Sequence, residues 1–184
     1  MSIHTTDPYL ELQNVTRAHL RDHGCGAYTY LDGSLPGVIA AATNAERIVE
    51  VGTALGYTAL WLSHHNRRAH VDTIEADAEH VHLARRQIEA YDRTAQITVH
   101  HGQAHDVLPT LEASSFDMAF FDGFAPTSEL IDSLGVLLKP GGTLLCANLT
   151  LGGASQAMLR LAEADSWITH SLGETAIAVR IVRV

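Results

Sequence analysis

The residues best placed to do chemistry lie in one short stretch, Glu50-Val51-Gly52-Thr53-Ala54-Leu55-Gly56-Tyr57-Thr58. Gly52 permits a tight turn and a close approach of backbone to ligand. Gly56 opens a helix whose free N–H groups and dipole favour an anionic group. Glu75 lies 23 residues beyond Gly52, at the end of the next β-branched run, where a carboxylate can accept hydrogen bonds from ribose hydroxyls. A nucleoside is the ligand this spacing favours. A dinucleotide requires a second glycine so that the backbone can approach its pyrophosphate, and Ala54 stands there; a triphosphate requires a GxxxxGK sequence, and the chain has none. The expected ligand therefore carries a ribose and a carboxylate but no phosphate.

These residues need a scaffold that brings strand ends together. Short apolar runs alternate with helical segments along the chain, which predicts an α/β fold: a Rossmann-like, doubly wound, mainly parallel sheet with helices on both faces. Strands are expected at Arg47–Val51, Val71–Glu75, Ile97–His100, Phe116–Asp122 and Thr143–Ala147. Two more, Trp167–Leu172 and Ala176–Val182, have only a Gly173-Glu174 turn between them and should pair antiparallel. Helices are expected at Tyr57–His65, Ala78–Tyr91, Thr127–Leu138 and Gly153–Ala164. The second carries Val81, Ala84 and Ile88 on one stripe, and Asp77 is placed to cap it. Lys139-Pro140-Gly141-Gly142 reads as the stop that turns the chain into the fifth strand. Ahead of the core, Tyr9–Leu20 and Leu35–Ala42 suggest two helices separated by Gly24-Cys25-Gly26 and Asp32-Gly33-Ser34. One domain, 1–184, is expected, with residues 1–45 as a helical cap on a ligand-binding core, 46–184.

Composition narrows the partners. With 46% hydrophobic and 18% charged residues, the 184-residue chain can bury a real core without disulfides. No apolar run approaches the ~20 residues of a membrane span, and the opening residues lack a basic start and an apolar run, so a cytoplasmic protein without membrane contact is the expectation. A formal charge of −9 disfavours a nucleic-acid partner. Cys25 and Cys146 show no CxxC spacing and read as reduced, packed thiols.

Taken together the motifs resemble a class I S-adenosylmethionine-dependent methyltransferase. More narrowly, EVGTALGYTALWL is similar to the first motif of the catechol and caffeoyl-coenzyme-A O-methyltransferase family. The resemblance continues through TIEAD at 73–77, HGQA at 101–104, FDMAFFDG at 116–123, LLKPGGTLLCAN at 137–148 and TAIAVRIV at 175–182. It implies that Gly52 and Gly56 line S-adenosyl-L-methionine, that Thr58 binds its methionine carboxylate, and that Glu75 holds its ribose. Gly102, Gln103 and Ala104 would flank the adenine, and Asp122 would lie near the amine and the transferred methyl. Glu50, Thr53, Tyr57 and Ala76 complete the implied cofactor set. Relatives are often dimers, so a homodimer is a further expectation.

Two departures bear on mechanism. The family's divalent metal is held by an Asp ending the fourth strand and an Asp-Asn pair ending the fifth; here Asp122 and Asn148 match, but the middle position is Ala147. One carboxylate and a neutral amide should hold Mg²⁺ weakly. The family's lysine near the fourth-strand Asp is also missing, and the chain's single lysine, Lys139, belongs to the turn at the other end of its strand. A divalent metal is therefore not expected, with Asp122 and Asn148 as vestiges of its site. Among twelve histidines, His19 and His23 in the cap are candidates for the base that takes the acceptor's proton. His64, His65, His80 and His82 read as solvated helix residues, and His100, His101 and His105 as neighbours of the adenine segment. A histidine replacing the lost ligand would suit Zn²⁺ better than Mg²⁺. The leading expectation is methyl transfer to a hydroxyl or amine of a small aromatic or metabolite acceptor. The alternatives are a non-catalytic S-adenosylmethionine-binding protein and, less favoured because of Ala54, an NAD-dependent oxidoreductase.

Overall fold

The structure is a computed structural model that describes residues 7–181; the expected end of the last strand at Val182 and the opening six residues lie outside that range. The helices are α1 (Leu10–His23), α2 (Ser34–Ala42), α3 (Tyr57–Leu62), α4 (Ala78–Ala90), α5 (Ala104–Val107), α6 (Ser128–Leu137) and α7 (Ser155–Leu161). The strands are β1 (Arg47–Val51), β2 (His70–Glu75), β3 (Ile97–His101), β4 (Phe116–Phe121), β5 (Leu138–Cys146), β6 (Trp167–Leu172) and β7 (Thr175–Arg180). They form one sheet in the order β3-β2-β1-β4-β5-β7-β6. The first five strands run parallel, and β7 slots antiparallel between β5 and β6.

Strand parity explains the two cores. In β1, Ile48 joins Leu60, Val81, Ile88, Met118 and Phe120 on the face covered by the cap, α3 and α4. Val49 and Val51 point the other way, to Phe121, Ile131, Leu134 and Trp167 under α6 and α7. The same alternation sends Glu50 to the first face, where an apolar residue would be expected. The cap shares that core: Tyr9 is buried edge-on against Trp61 and Tyr91, at centroid distances of 5.6 and 5.3 Å. Gln13 Nε2 donates to the carbonyls of Tyr30 and Leu31, holding the loop that follows α1.

Several boundaries differ from expectation for local reasons. α3 stops at Leu62 rather than His65, because the His64 N–H bonds back only three residues to Trp61 and its ring bonds the Tyr9 hydroxyl. β5 begins at Leu138, before the Pro-Gly-Gly turn, because Leu138 pairs with Phe116; the register then shifts before Thr143 pairs with Met118. Lys139 sits in that irregularity, with Nζ 2.5 Å from Asp117 Oδ1, at the start of β4 and away from Asp122 at its end. The four-residue α5 was not anticipated. α4 matches within a residue, and Asp77 caps it by accepting from the Glu79 and His80 N–H groups. No helix of the described residues is long and apolar enough to cross a membrane.

Strand order reverses at β1, which has β2 on one side and β4 on the other. Connections leave the carboxyl ends of these strands toward opposite faces, and such a switch point opens a crevice above them. The candidate residues meet there.

Candidate functional site

The turn after β1 is shaped by its neighbours. Gly52 has φ +98°, and a Cβ there would lie 2.8 Å from the Asp122 carbonyl oxygen and 3.2 Å from the Gly123 nitrogen. No side chain fits between the ends of β1 and β4. The Gly52 N–H donates to the Ile74 carbonyl and the Asp122 N–H to that of Val51, so the three strand ends are laced together. Ala54, in the position where a dinucleotide site carries glycine, has φ +44°, and its N–H donates to Glu75 Oε2 at 2.9 Å. The other Glu75 oxygen accepts from the Asp77 N–H. The carboxylate expected to hold a ribose thus bonds the turn directly, and neither Glu75 nor Gly56 is among the residues that line the crevice.

Beneath the turn lies a network that the sequence reading did not assemble. Glu50 is fully buried and accepts hydrogen bonds from the hydroxyls of Thr58 and Thr73, the second at 2.6 Å. Thr73 is its register partner on β2. Because Thr73 gives its proton to Glu50, the 2.6 Å contact between Thr53 and Thr73 has Thr53 as donor. Burial raises the Glu50 carboxyl to about 7; the two hydroxyls oppose that rise and the nearby Glu75 adds to it. Glu50 therefore anchors the turn to α3 and β2 from inside. The Thr58 hydroxyl, expected on a ligand carboxylate, is committed to Glu50, and Tyr57 donates its hydroxyl to Asp7.

The crevice is narrow, with free space on the scale of a single water molecule. The β1 turn and the start of α3 line it with Gly52, Thr53, Ala54, Leu55, Tyr57 and Thr58; Asp122 lines it from β4, and Thr16, Tyr28, Thr29 and Tyr30 from the cap. The cap residues were not foreseen as lining. Their signal was faint, since only packing brings the loop after α1 over the strand ends. The Tyr30 hydroxyl lies 3.0 Å from Thr175 Oγ1, and its ring stands edge-on to Phe120 at 5.4 Å. Gly102, Gln103 and Ala104 follow β3, where the Gly102 N–H donates to the Glu75 carbonyl. That segment and Ala76 adjoin Glu75 but are not among the crevice-lining residues; Gln103 and Ala76 are exposed.

Asp122 and Asn148 are brought together at the ends of β4 and β5. Asn148 has φ +62°, and its Nδ2 donates to the Gly123 carbonyl at 2.6 Å and lies 3.5 Å from Asp122 Oδ1. Burial lifts the Asp122 carboxyl to about 8, the Glu50 charge adds to the rise, and Asn148 opposes it. Between the two, Ala147 is buried and offers no donor atom. A lone carboxyl, mostly protonated at neutral pH and faced by an amide N–H₂, does not fit a hard divalent cation. His19 and His23 do not line the crevice; they stack on each other at 4.5 Å, and His19 meets His80 at 5.4 Å. His80, expected to be solvated, is 4% exposed, because it sits in the first turn of α4 beneath α1. His64 and His82 are exposed as expected, while His65 is half-buried.

The glycine turn and the acid bonded to it thus lie at the switch point of an α/β sheet. Residues 49–149 match the family model described as a methyltransferase domain, and the chain belongs to that family. A candidate O-methyltransferase of Mycobacterium sp. (strain JLS) is 37% identical over 135 residues, which are 72% of this chain and 61% of that protein. The chain thus spans about three fifths of that relative's length. An O-methyltransferase from Bacillus cereus, solved in complex with SAH, superposes with a TM-score of 0.83 at 20% identity, covering 97% of this chain and 92% of the other. One from Streptomyces achromogenes involved in tomaymycin synthesis, solved with SAM, gives 0.79 at 23% identity, covering 94% and 90%. The mainly parallel sheet with its antiparallel end is the fold of these proteins.

Proposed function

We propose that the protein is an S-adenosylmethionine-dependent methyltransferase acting on a hydroxyl of a small aromatic or metabolite acceptor, without a divalent metal. One observation carries the reading: Gly52, in a left-handed turn, rests against the backbone of Asp122–Gly123 while Glu75 faces the same turn. That arrangement suits a ribose resting on Glu75 beside the turn, with the rest of the donor running toward Asp122. Family neighbours of the same fold were solved with SAH or SAM, in keeping with this ligand.

The bound donor supplies a methyl group on a sulfonium, which an acceptor oxygen displaces in line as the carbon–sulfur bond breaks. The chain's part is to hold the two reactants at attack distance and to take the acceptor's proton. Asp122 is the group for the second task. A carboxyl raised to about 8 is a stronger base than an ordinary aspartate, and a neighbouring cationic donor favours its charged form. Tyr28 and Phe124, 70% and 79% exposed near this end of the crevice, offer aromatic surface to a planar acceptor.

Calorimetry with S-adenosylhomocysteine tests the reading. The intact protein should bind it with a Kd of about micromolar order, and a folded Gly52→Val variant should not. No heat of binding in the intact protein would end the proposal. Ala147 and the missing lysine favour a second reading, a protein that binds the donor without turning it over. Methyl transfer to any member of a hydroxylated-aromatic panel would exclude it.

A further inference from the structure

Beside Glu75, but away from the residues that line the crevice, three side chains with affinity for borderline metals converge. His19 on α1, Cys25 in the turn after it and His80 on α4 each offer a ligand atom, and the three atoms lie within 4.8 Å of one another. Local structure explains the meeting. Gly24, with φ +60°, ends α1 and reverses the chain, so that Cys25 returns toward the last turn of the helix. The Asp77 cap sets His80 in the first turn of α4, under that same helix end. His23, one turn beyond His19 on the same face, stacks on it with ring centroids 4.5 Å apart.

The His80 ring is the informative member. It is 4% exposed, yet among the described residues its nearest charged partner is Glu75 Oε1 at 3.8 Å, beyond hydrogen-bond length. A buried imidazole held beside a second imidazole and a thiol can give its ring nitrogen to a metal ion.

We propose that His19, Cys25 and His80 form a binding site for a borderline transition-metal ion, Zn²⁺ foremost, which clamps the N-terminal cap to α4 beside Glu75. Two imidazoles and a thiolate are a zinc donor set and a poor one for Mg²⁺. Tetrahedral zinc with these ligands needs donor atoms roughly 3.5 Å apart, so the observed cluster needs only a small contraction. His23 or a water completes the tetrahedron. On binding, the Cys25 thiol gives its proton to solvent and its sulfur to the ion. Glu75 is placed to steady the His80 ring from outside the ligand shell, the position carboxylates often take behind ligating histidines. This site is separate from Asp122 and Asn148, and it does not depend on the methyltransferase reading.

The two cysteines make a clean test. Cys146 is fully buried with its thiol pushed up to about 12 by burial, so alkylation of the native, tag-free protein reports Cys25. Stoichiometric Zn²⁺ should bind one per chain and slow that alkylation by at least about tenfold, since ligated thiolate is withdrawn from reaction. Co²⁺ in its place should give a sulfur-to-metal charge-transfer band that Cys25→Ser abolishes. Zn²⁺ affinity should fall by more than roughly tenfold, the scale at which even outer-shell losses are felt, in Cys25→Ser and in His19→Gln. The exposed His82→Gln should bind as the parent does, and far-ultraviolet circular dichroism should show all three variants folded. Substoichiometric uptake by the parent, no charge-transfer band, or a Cys25→Ser variant binding as tightly as the parent would overturn the proposal.

Discussion

The two sides of the crevice are built differently. On the β1–β2 side the hydroxyls of the turn and its neighbours are partnered, Thr58 and Thr73 on Glu50 and Thr53 on Thr73, and the Ala54 N–H bonds Glu75. On the β4–β5 side Asp122 has only a 3.5 Å contact with Asn148, Ala147 is inert, and the aromatic rim is exposed. One side is a rigid cradle assembled from neighbouring segments. The other is an open wall whose occupant must come from outside. Such a division suits a fixed partner on one side and an exchangeable one on the other, and substitutions at Gly52, Asp122, Glu50 and Ala147 separate the two.

The largest effect belongs to Gly52→Val. Its side chain would meet the Asp122 carbonyl at 2.8 Å in a backbone conformation that β-branched residues avoid. Loss of S-adenosylhomocysteine binding by more than about a hundredfold is expected, together with destabilisation of order 2–3 kcal/mol from strain at a special φ. Calorimetry and chemical denaturation check the two parts. A variant that binds normally would show that the turn is not the cradle.

Next comes Asp122→Asn, which leaves the cradle intact. Removing a general base costs typically about 10²–10⁴ in rate, so methyl transfer should collapse while S-adenosylhomocysteine affinity changes by less than about threefold, a shift well below 1.4 kcal/mol. In the parent the rate should rise with pH toward about 8, the pH range in which Asp122 ionises. Undiminished turnover in the variant would remove Asp122 from the chemistry.

Glu50 offers a third test, read as stability. Its folded carboxyl sits at about 7 against an ordinary 4.5. The folded state therefore holds the proton more tightly than the unfolded one, and stability falls as pH rises from about 4.5 through 7, by at most ~1.4 kcal/mol per pH unit. Asp122, raised from 3.8 to about 8, adds a decline of the same sign over that window and carries it on to about pH 8. Melting temperature should drop between pH 5 and pH 8, and Glu50→Gln should remove about half of the drop below pH 7. A parent melting curve that is level or climbs over that window would contradict the assignment.

The unequal legibility of the two sides follows from the same physics. Gly52, Gly56 and Glu75 were readable because their spacing is local: one strand, one turn, one helix and the next strand. The sheet followed from alternating periods, and the β6–β7 hairpin from a two-residue turn. The Glu50–Thr73 pair was hidden because it depends on register between strands; only parity, which puts residue 50 on the face of Ile48, hinted at it. Tyr28–Tyr30 and His80 could not be placed from spacing at all. Their positions depend on how the cap docks, through Tyr9, Leu12 and Gln13, onto helices dozens of residues away. His19 and His23 show the cost of that ignorance: their place in the cap made them candidates for the base, while folding carried them to His80.

The smallest expected effect concerns metal on the open wall. Adding Mg²⁺ to the parent should leave S-adenosylhomocysteine affinity unchanged within error, because Asp122 stands alone and Ala147 supplies nothing. Ala147→Asp restores a second carboxylate between Asp122 and Asn148. Two carboxylates and an amide oxygen suit a hard cation, and like charges brought together should make stability of the variant Mg²⁺-dependent. The gain is limited, since Asn148 must first release the Gly123 carbonyl to turn its own oxygen inward. A rise in melting temperature of a few degrees with millimolar Mg²⁺, on the scale of about 1 kcal/mol, is expected in the variant and not in the parent. A parent that already responds would mean that the open wall holds a cation through ligands other than the carboxylate pair, and the contrast between the two sides would have to be redrawn.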